Sequence, residues 1–320
     1  MRVAILGYGR VARALARLVA QQQHVYPFRI VAAHTLRHGT AYDLRGLPEE
    51  PAFGPPAASA EEFLDRARAE ILVELTTMNP ENGEPAVSHI RAAFARGMHA
   101  VTANKGPVAC AWAELQEEAR RRGLEFRFES AVMDGAPVFN LARNCLPGVR
   151  VLGFAGVLNS TTQVILDAMR RGASLEEGIE HARRLGVTEA DPWFDIDGWD
   201  SACKAAALAN VLMDARTTPA AVNRRGIGRL TPEKVAEAER AGKKIALVSR
   251  GKRTAAGVSL RVRAEVLDRS DILAQASGTS NVLVLHTDLM GELAIYSRNP
   301  GLAQTAYGVF ADLVDIARSL

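Results

Sequence analysis

Cysteine is scarce in this sequence, and the three that occur, Cys110, Cys145 and Cys203, lie far apart. An odd and widely spaced set does not suit a disulfide framework and is typical of a protein in a reducing compartment. No two cysteines have the spacing of metal ligands, and the seven histidines do not cluster. We therefore expect a cytoplasmic protein without a cysteine-based metal centre.

Long apolar runs and a large surplus of one charge are also missing. No stretch stays apolar for the roughly 20 residues that a membrane-spanning helix needs, and glycines break the short apolar run at the N-terminus, unlike a signal peptide. The net charge is only +3, with basic and acidic residues interleaved, so neither a nucleic acid nor a membrane is an expected partner. A hydrophobic content of 48% nevertheless indicates a substantial core.

Strand and helix patterns alternate regularly over the first 135 of the 320 residues. Apolar segments typical of buried parallel strands begin at residues 2, 28, 71 and 99, and segments with helical spacing alternate with them. One such helix is expected to begin at Ser59, with Glu62 three positions later completing a capping box, and another to cover residues 111–122. Residues 36–58 are rich in glycine and proline and are expected to form a long loop. This order predicts an α/β domain over residues 1–135, with a Rossmann-type doubly wound parallel sheet.

The pattern changes after residue 135. A strand-like segment comes first, at 149–157, and three helical segments follow, at about 161–171, 175–185 and 200–213. Ser174 and Glu177 are expected to form a capping box at the start of the second helix. Three strand-like segments with partial alternation follow, at 258–266, 281–287 and 292–296. We expect a second, α+β domain over 136–305 that binds the substrate and forms a homodimer, with a mixed or antiparallel sheet. The last helix, 306–320, is expected to pack back on the first domain.

A glycine-rich turn follows the first strand, where Gly7, Gly9 and Ala12 form the pattern G-x-G-x-x-A. The first glycine permits a tight turn, the second lets a pyrophosphate approach the backbone, and the small third residue lets helix and strand pack closely. The pattern predicts a dinucleotide site that includes Arg10 and Val11 at the helix start. A glycine turn in an unrelated α/β protein is the alternative, and the strand–turn–helix context argues against it.

The end of the second strand bears on the choice between NAD(H) and NADP(H). A carboxylate at this place binds the ribose hydroxyls of NAD, but the sequence reads Ala33-His34-Thr35-Leu36-Arg37-His38. Arg37 could pair with a 2′-phosphate, so NADP(H) is the preferred cofactor on this interpretation. The alternative, that Arg37 is a solvated loop arginine, stays open.

Polar residues follow two further strands at the edge where a doubly wound sheet binds its ligands. Thr76 and Thr77 come directly after one strand, and Lys105 follows the next. We expect these residues to lie near the cofactor, and Lys105 to reach both cofactor and substrate. The alternative for Lys105 is an ordinary surface lysine.

An acidic run leads into a helix that is apolar almost throughout. Five carboxylates lie between Glu189 and Asp200, and Lys204 follows Asp200 by four positions, which places the two on one helix face. A carboxylate and a lysine on a buried helix need a reason, because buried charge is costly unless it is paired. The alternative is a plain salt bridge at a helix start, where acids favour the helix dipole.

Taken together, these segments resemble the homoserine dehydrogenase family over nearly the whole chain. The motifs that carry the resemblance are Val-Glu-Leu-Thr at 73–76, Thr-Ala-Asn-Lys-Gly-Pro at 102–107, Glu-Ser-Ala-Val-Met-Asp-Gly-Ala-Pro at 129–137, Leu-Asn-Ser-Thr-Thr at 158–162 and Thr-Glu-Ala-Asp-Pro…Asp…Gly-Trp-Asp…Lys at 188–204. The last of these, ending in Asp-x-x-x-Lys, is highly specific. The resemblance implies an NAD(P)-dependent enzyme that interconverts L-homoserine and L-aspartate 4-semialdehyde.

The resemblance also implies roles for individual residues. Lys105 and Lys204 would be general acid/base lysines, and Asp200 would orient Lys204 or bind nearby substrate groups. Glu189 and Asp195 would hold the substrate's amino group. A helix start would meet the substrate's carboxylate through Asn159, Ser160, Thr161 and Thr162. A structural Na⁺ or K⁺ would bind among carbonyls near Glu129, Val132, Asp134 and Ala136.

Three residues depart from the family's usual pattern. Ser160 stands where the family usually has glycine, Gln163 where it has asparagine, and Asp134 replaces a small residue. These departures concern the substrate's carboxylate pocket and the cation segment. Two alternatives follow: a related dehydrogenase acting on another amino-acid-derived substrate, or a catalytically idle NADP-binding sensor.

Overall fold

The computed structural model describes residues 1–188 and 191–320, which divide into two units. The first unit comprises Met1–Asn140 and Gly301–Leu320, and the second comprises Leu141–Pro300. The division falls near residues 135 and 305, and the last helix belongs to the first unit. Within the described residues, no helix combines the length and apolarity needed to cross a bilayer.

The strands and helices of the described residues are numbered in chain order. The strands are β1 (Arg2–Leu6), β2 (Arg29–Thr35), β3 (Gly39–Tyr42), β4 (Ile71–Glu74), β5 (His99–Thr102), β6 (Phe126–Arg127), β7 (Val151–Val157), β8 (Asn223–Arg224), β9 (Lys243–Thr254), β10 (Gly257–Asp268), β11 (Asn281–Thr287) and β12 (Glu292–Ser297). The helices are α1 (Arg10–Gln22), α2 (Ala60–Ala67), α3 (Ala86–Ala95), α4 (Lys105–Arg121), α5 (Val138–Asn140), α6 (Ser160–Arg170), α7 (Leu175–Arg184), α8 (Trp193–Ile196), α9 (Trp199–Met213), α10 (Pro232–Arg240) and α11 (Leu302–Ser319).

The first unit contains a six-stranded sheet in the order β3-β2-β1-β4-β5-β6. All neighbours pair in parallel except β3, which runs antiparallel to β2 at the edge. The strand order reverses at β1, so the ligand crevice of this doubly wound sheet lies beyond the carboxyl ends of β1 and β4. The predicted Rossmann-type fold class is confirmed.

Both faces of this sheet are covered because its strands are apolar on both sides. Val3 and Ile5 of β1 belong to a core shared with α1 and α11, whereas Ala4 and Leu6 belong to a core shared with α2 and α3. Successive residues of a strand point to opposite faces, so a continuous apolar run supplies both cores. The closing helix α11 thus completes one of the two layers over the sheet.

Two local features of the first unit differ from expectation. Residues 36–58 contain the short strand β3 in place of an unbroken loop, because the backbone from Gly39 to Tyr42 pairs with β2. Helix α4 begins at Lys105 and not near residue 111 as expected, because the backbone leaves helical geometry at Ala111, where φ is −143°. The helical pattern in the sequence is therefore visible only after that kink.

The second unit contains a mixed sheet in the order β12-β11-β7-β9-β10-β8. Its pairs are antiparallel except β8 with β10, as expected for an α+β unit. The long strand β9 was not predicted, since its apolar stretch is short and polar residues continue it. Its Arg250 forms a bidentate ion pair with Glu265 of β10, with N–O distances between 2.8 and 3.1 Å, which accounts for the polar extension.

The predicted capping boxes have different outcomes. In α7 the Ser174 side chain accepts from the N–H of Glu177, and the Glu177 carboxylate accepts from the N–H of Ser174, so this box is confirmed. In α2 the Ser59 side chain caps Glu62, but the Glu62 carboxylate accepts from the N–H of Ala58 instead of Ser59. The prediction for α2 is therefore only half correct.

Candidate functional site

The glycine turn after β1 is pressed against the ends of two neighbouring strands. Gly7 has φ +90°, and a Cβ at this position would lie 2.5 Å from the carbonyl carbon of Leu75. Its N–H donates to the carbonyl of His34 at the end of β2, at 2.9 Å. Only glycine combines this backbone conformation with so close an approach.

Gly9 has the opposite surroundings and lies in open space. It precedes α1 without a side-chain cap, it is exposed, and a Cβ there would have no atom within 4 Å. The N–H groups of Arg10, Val11 and Ala12 at the start of α1 lack helical partners and face the same way. Ala12 is fully buried in the core below the turn. An uncapped helix start beneath open space fits a pyrophosphate group.

The turn after β2 lies beside this glycine turn because Gly7 is hydrogen bonded to His34. The residues from Leu36 to His38 are exposed and contain no carboxylate, and Arg37 extends from the middle of the turn. Burial, together with the nearby His89, lowers the pKa of His34. Arg37 is therefore an exposed cation of the turn next to the glycine turn, and the lowered pKa of His34 favours its neutral form.

A buried carboxylate organises the ends of β4 and β5. Glu74 is 0% exposed and accepts hydrogen bonds from both the N–H and the hydroxyl of Thr76, the former at 3.0 Å. The hydroxyl of Thr102 also reaches Glu74, at 3.2 Å, and His89 Nδ1 lies 3.5 Å away. The Thr76 hydroxyl is thus turned toward Glu74, while Thr77 is exposed.

Lys105 is the first residue of α4, and Asn104 fixes that helix start. The Asn104 side chain accepts from the N–H of Gly106 at 2.9 Å and donates to the carbonyl of Thr76 at 3.2 Å. Its own N–H donates to the Thr102 hydroxyl at 2.9 Å. Half-buried Lys105 is therefore tied to the same strand ends as Glu74.

Sequence reasoning missed Glu74 and Asn104, although both left a signal in the sequence. Glu74 is an acid at the end of an otherwise apolar strand, and Asn104 stands where a helix N-cap is expected before Lys-Gly-Pro. Each signal can be recognised only when the end of strand β4 and the start of helix α4 are known. The kink at Ala111 hides the helical pattern that begins at Lys105, so the N-cap role of Asn104 was not recognised.

The second unit brings together four of the predicted substrate residues. Asn159 Nδ2 donates to Asp195 Oδ1 at 2.6 Å and to Asp200 Oδ2 at 2.9 Å. Lys204 Nζ lies 3.3 Å from Asp200 Oδ2 and donates to the carbonyl of Leu158. This cluster, Asn159–Asp195–Asp200–Lys204, holds two carboxylates and one ammonium group in a largely buried place.

Burial raises the pKa of Asp195, and the negative charge of Asp200 raises it further. The hydrogen bond from Asn159 and the charge of Lys204 act in the opposite direction. The ion pair between Asp200 and Lys204 is an i,i+4 contact along α9, as expected from the spacing. Because it joins the cluster, it is more than an isolated bridge at a helix start.

The start of α6 carries the other predicted substrate residues, and their hydroxyls are directed to main-chain carbonyls. Ser160 donates to Thr279 at 3.2 Å, Thr161 donates to Val187 at 2.7 Å, and Thr162 donates to Asn159 at 3.1 Å. The Thr162 N–H is capped by Asn159 at 2.8 Å. An anion at this helix start would therefore meet the N–H groups of Ser160 and Thr161.

Two predicted regions remain. Glu189 lies outside the described residues. In the predicted cation segment, the Glu129 carboxylate accepts the N–H groups of Phe139 and Asn140, each at 2.7 Å. Asp134 has φ +56°, and its side chain accepts from the Thr305 hydroxyl at 3.1 Å. Within 1–188 and 191–320, no group of three or more His, Cys, Asp or Glu residues is arranged to hold a metal ion.

Comparison with known families agrees with both parts of this geometry. Residues 7–129 match the family described as homoserine dehydrogenase, NAD binding domain, and residues 137–314 match the family described as homoserine dehydrogenase. Together the two matches span most of the chain. The chain belongs to the homoserine dehydrogenase family. It is an NAD(P)-dependent oxidoreductase that acts on a CH–OH group.

Two relatives are similar over nearly their full length, and a solved structure is similar over about three quarters of its own chain. An NAD(+)-dependent homoserine dehydrogenase of Pseudomonas canavaninivorans is 33% identical, over 99% of this chain and 96% of the relative. A homoserine dehydrogenase of Methanocaldococcus jannaschii is 33% identical, over 100% of this chain and 99% of the relative. The crystal structure of a homoserine dehydrogenase from Thiobacillus denitrificans has a TM-score of 0.86 and 30% identity, covering 99% of this chain and 73% of that one.

Substitution of the two glycines of the turn by alanine should have different effects on stability and on cofactor binding. Gly9→Ala should keep the melting temperature and weaken NADPH binding about tenfold or more, because the new Cβ enters only the space that the pyrophosphate needs. Gly7→Ala should lower the melting temperature, because of its positive φ and the contact with Leu75. Thermal unfolding and NADPH fluorescence titration measure the two effects.

Equal loss of stability in both variants would contradict this assignment of the turn. Gly54→Ala is the matched control. Its Cβ would make only an ordinary contact, 3.7 Å from the carbonyl of Thr40. It should change neither NADPH binding nor stability appreciably.

Proposed function

We propose that this chain interconverts L-homoserine and L-aspartate 4-semialdehyde, with NADP(H) preferred over NAD(H). The observation that carries the substrate proposal is the Asn159–Asp195–Asp200–Lys204 cluster, which offers carboxylates for an ammonium group beside a lysine for a reacting oxygen. On this proposal the protein works in the cytoplasm, in the biosynthesis of threonine, methionine and isoleucine.

Proton transfer at the reacting oxygen is assigned to the two lysines. The bound nicotinamide supplies or accepts the hydride, and the oxygen of the substrate must gain or lose a proton at the same carbon. The Lys204 ammonium has three N–H donors, of which one points to Leu158 and one to Asp200. On this proposal the third N–H meets the substrate oxygen, and Asp200 orients the ammonium group. Lys105 has the second acid/base role, and its helix start is fixed by Asn104.

The amino and carboxylate groups of the substrate are assigned to different parts of the second unit. Asp195 and Asp200 receive the amino group, together with Glu189 by resemblance to the family. The carboxylate meets the start of α6, where Ser160 and Thr161 present main-chain N–H groups. Holding both ends fixes the CH–OH carbon and so places it for hydride transfer.

The preference for NADP(H) rests on charge at the end of β2. No carboxylate is available in the turn that follows His34 to bind ribose hydroxyls, and Arg37 is exposed beside the glycine turn. An arginine recognises a phosphate through charge-assisted hydrogen bonds. These features favour a 2′-phosphate at this position.

A monovalent cation, Na⁺ or K⁺, is proposed for the segment from Glu129 to Ala136. Glu129 accepts two main-chain N–H groups, so its carboxylate shapes the segment. Main-chain carbonyls of Val132, Asp134 and Ala136 would then bind the cation. Hard oxygen ligands suit such an ion, whose role would be structural.

A homodimer through the second unit is proposed from the open edge of its sheet. Strand β12 lies at the end of the strand order, and its residues alternate between exposed and half-buried. Tyr296 on this strand is 44% exposed. An uncovered edge strand presents main-chain groups that can pair with a second copy across a two-fold axis.

The first test is turnover. The purified protein should oxidise homoserine with NADP⁺, and Lys204→Ala or Lys105→Ala should reduce turnover by a factor on the order of one hundred or more, the usual loss for a general acid/base. Steady-state kinetics and NADPH titration of each variant make the measurement. NADPH binding should survive Lys204→Ala.

Lys234→Ala is the control, because Lys234 is an exposed lysine of α10 in the same unit as Lys204. If the native protein turns over neither homoserine nor aspartate semialdehyde, the proposed function is wrong. Near-native turnover of folded Lys204→Ala would reassign the proton and leave Lys204 as a structural ion pair.

The cofactor preference predicts a selective effect at Arg37. Arg37→Ala should weaken NADP⁺ binding roughly tenfold or more and leave NAD⁺ binding nearly unchanged, because only NADP⁺ carries the 2′-phosphate. Calorimetric titration with each cofactor measures the difference. Arg45→Ala, which removes an exposed arginine paired with Asp43, serves as the control. Equal losses for both cofactors would show that Arg37 does not read the phosphate.

The dimer predicts a particle of twice the chain mass. One chain has a mass of 34.5 kDa, so light scattering at micromolar concentration should give about double that value. A mass near that of one chain would contradict the dimer.

A further inference from the structure

Asn159 has every polar atom of its side chain engaged. It lies two residues after the end of β7 and directly before α6, and it is 3% exposed. Its Oδ1 accepts the N–H of Thr162 at 2.8 Å. Its two amide protons go to Asp195 at 2.6 Å and Asp200 at 2.9 Å. A primary amide has only two N–H donors, so none is left for a ligand.

The two carboxylates that share this amide are otherwise a costly pair. Like charges close together disfavour each other's ionised form, and burial adds to the cost. Lys204 pairs with Asp200 at 3.3 Å, but two carboxylates and one ammonium still leave one negative charge in excess. A neutral amide that donates to both carboxylates stabilises them without cancelling that charge.

We propose that Asn159 is a positioning residue whose amide holds Asp195 and Asp200 side by side as one acidic site for the ammonium group of the substrate. This inference rests on the proposed function, in which that group belongs to homoserine. The excess negative charge of the cluster is then balanced when the ammonium group enters. The role differs from the one that the resemblance implied for Asn159, since no donor of its side chain is left for the substrate's carboxylate.

The arrangement ties substrate binding to the pH of the solution. Among the described residues, Asp200 and Lys204 of α9 are the titratable groups that face Asp195, and α6 adds the neutral Asn159 and Thr161. The hydrogen bond from Asn159 lowers the pKa of Asp195 against the effect of burial. Asp195 binds an ammonium group only when it is ionised. Loss of the amide should therefore raise the pKa of Asp195. Substrate binding would then be lost at a higher pH as the solution is acidified.

Two substitutions remove the amide and keep the cap of α6. Asn159→Ser and Asn159→Asp both retain an oxygen for the Thr162 N–H, and both residues are good N-caps. Serine removes the donors, whereas aspartate replaces them with a third carboxylate. We expect the KM for homoserine to rise roughly tenfold for serine and more for aspartate. NADPH affinity should be unchanged, and the acid limb of kcat/KM should move to higher pH.

Ser174→Ala is the matched control, because it removes the corresponding N-cap of α7 in the same unit, away from the carboxylates. It should lower the melting temperature with no shift of the acid limb. If the role of Asn159 were limited to capping, both Asn159 variants, which keep the cap, would have a near-native melting temperature, a native KM and no shift of the acid limb. That outcome would overturn the proposal.

A measurement on the free protein separates this inference from the proposed function. The titration of Asp195 can be followed by ¹³C NMR of aspartate carboxyl groups, with Asp195→Asn to assign the signal. The pKa of Asp195 should be higher in Asn159→Ser than in the native protein, whether or not homoserine is turned over. An unchanged pKa in the folded variant overturns the positioning role. A raised pKa with unchanged KM overturns the link to the ammonium group.

Discussion

The contact between Gly7 and the ends of β2 and β4 is the constraint on which the first unit depends. No side chain fits between the Gly7 backbone and Leu75, so β1 can end close against its neighbours. The bond from Gly7 to His34 brings the Arg37 turn beside the glycine turn. The open space at Gly9 and the charge of Arg37 then lie at the same edge of the sheet, where a dinucleotide is bound.

Polar groups below that edge keep the strand ends in register. Glu74 is a buried carboxylate, and it is tolerated because Thr76 and Thr102 donate to it and His89 lies close by. Asn104 extends the same network to the first turn of α4. The position of Lys105 is thus set by the hydrogen bonds that join Asn104 to Thr76, Thr102 and Gly106.

In the second unit, buried charges are stabilised by an ion pair together with hydrogen bonds from a neutral amide. Its helix α9 carries Asp200 and Lys204 one turn apart, and the pair is completed by Asp195 and Asn159 from other elements. Removal of any one member would leave a buried charge with fewer partners, which is more costly than the loss of a surface bridge. The same surplus of negative charge that makes the cluster costly makes it suited to a cationic group.

Periodicity and motif spacing were enough to predict the Rossmann-type sheet, the α+β second unit, and the place of the G-x-G-x-x-A turn, because the apolar period of each strand or helix and the spacing of a motif are local properties of the chain. The Asp200–Lys204 pair was predictable for the same reason, since an i,i+4 spacing fixes a helix face. The long polar strand β9, the kink at Ala111 and the buried role of Glu74 could not be predicted, because each depends on a partner distant in sequence. The same holds for Asn159: nothing in the run Leu-Asn-Ser-Thr-Thr tells that its amide faces Asp195 and Asp200, more than thirty residues further along the chain. The sequence alone determined which residue types are present and how they repeat, and only the tertiary structure decided which hydrogen-bond donors meet which buried charges.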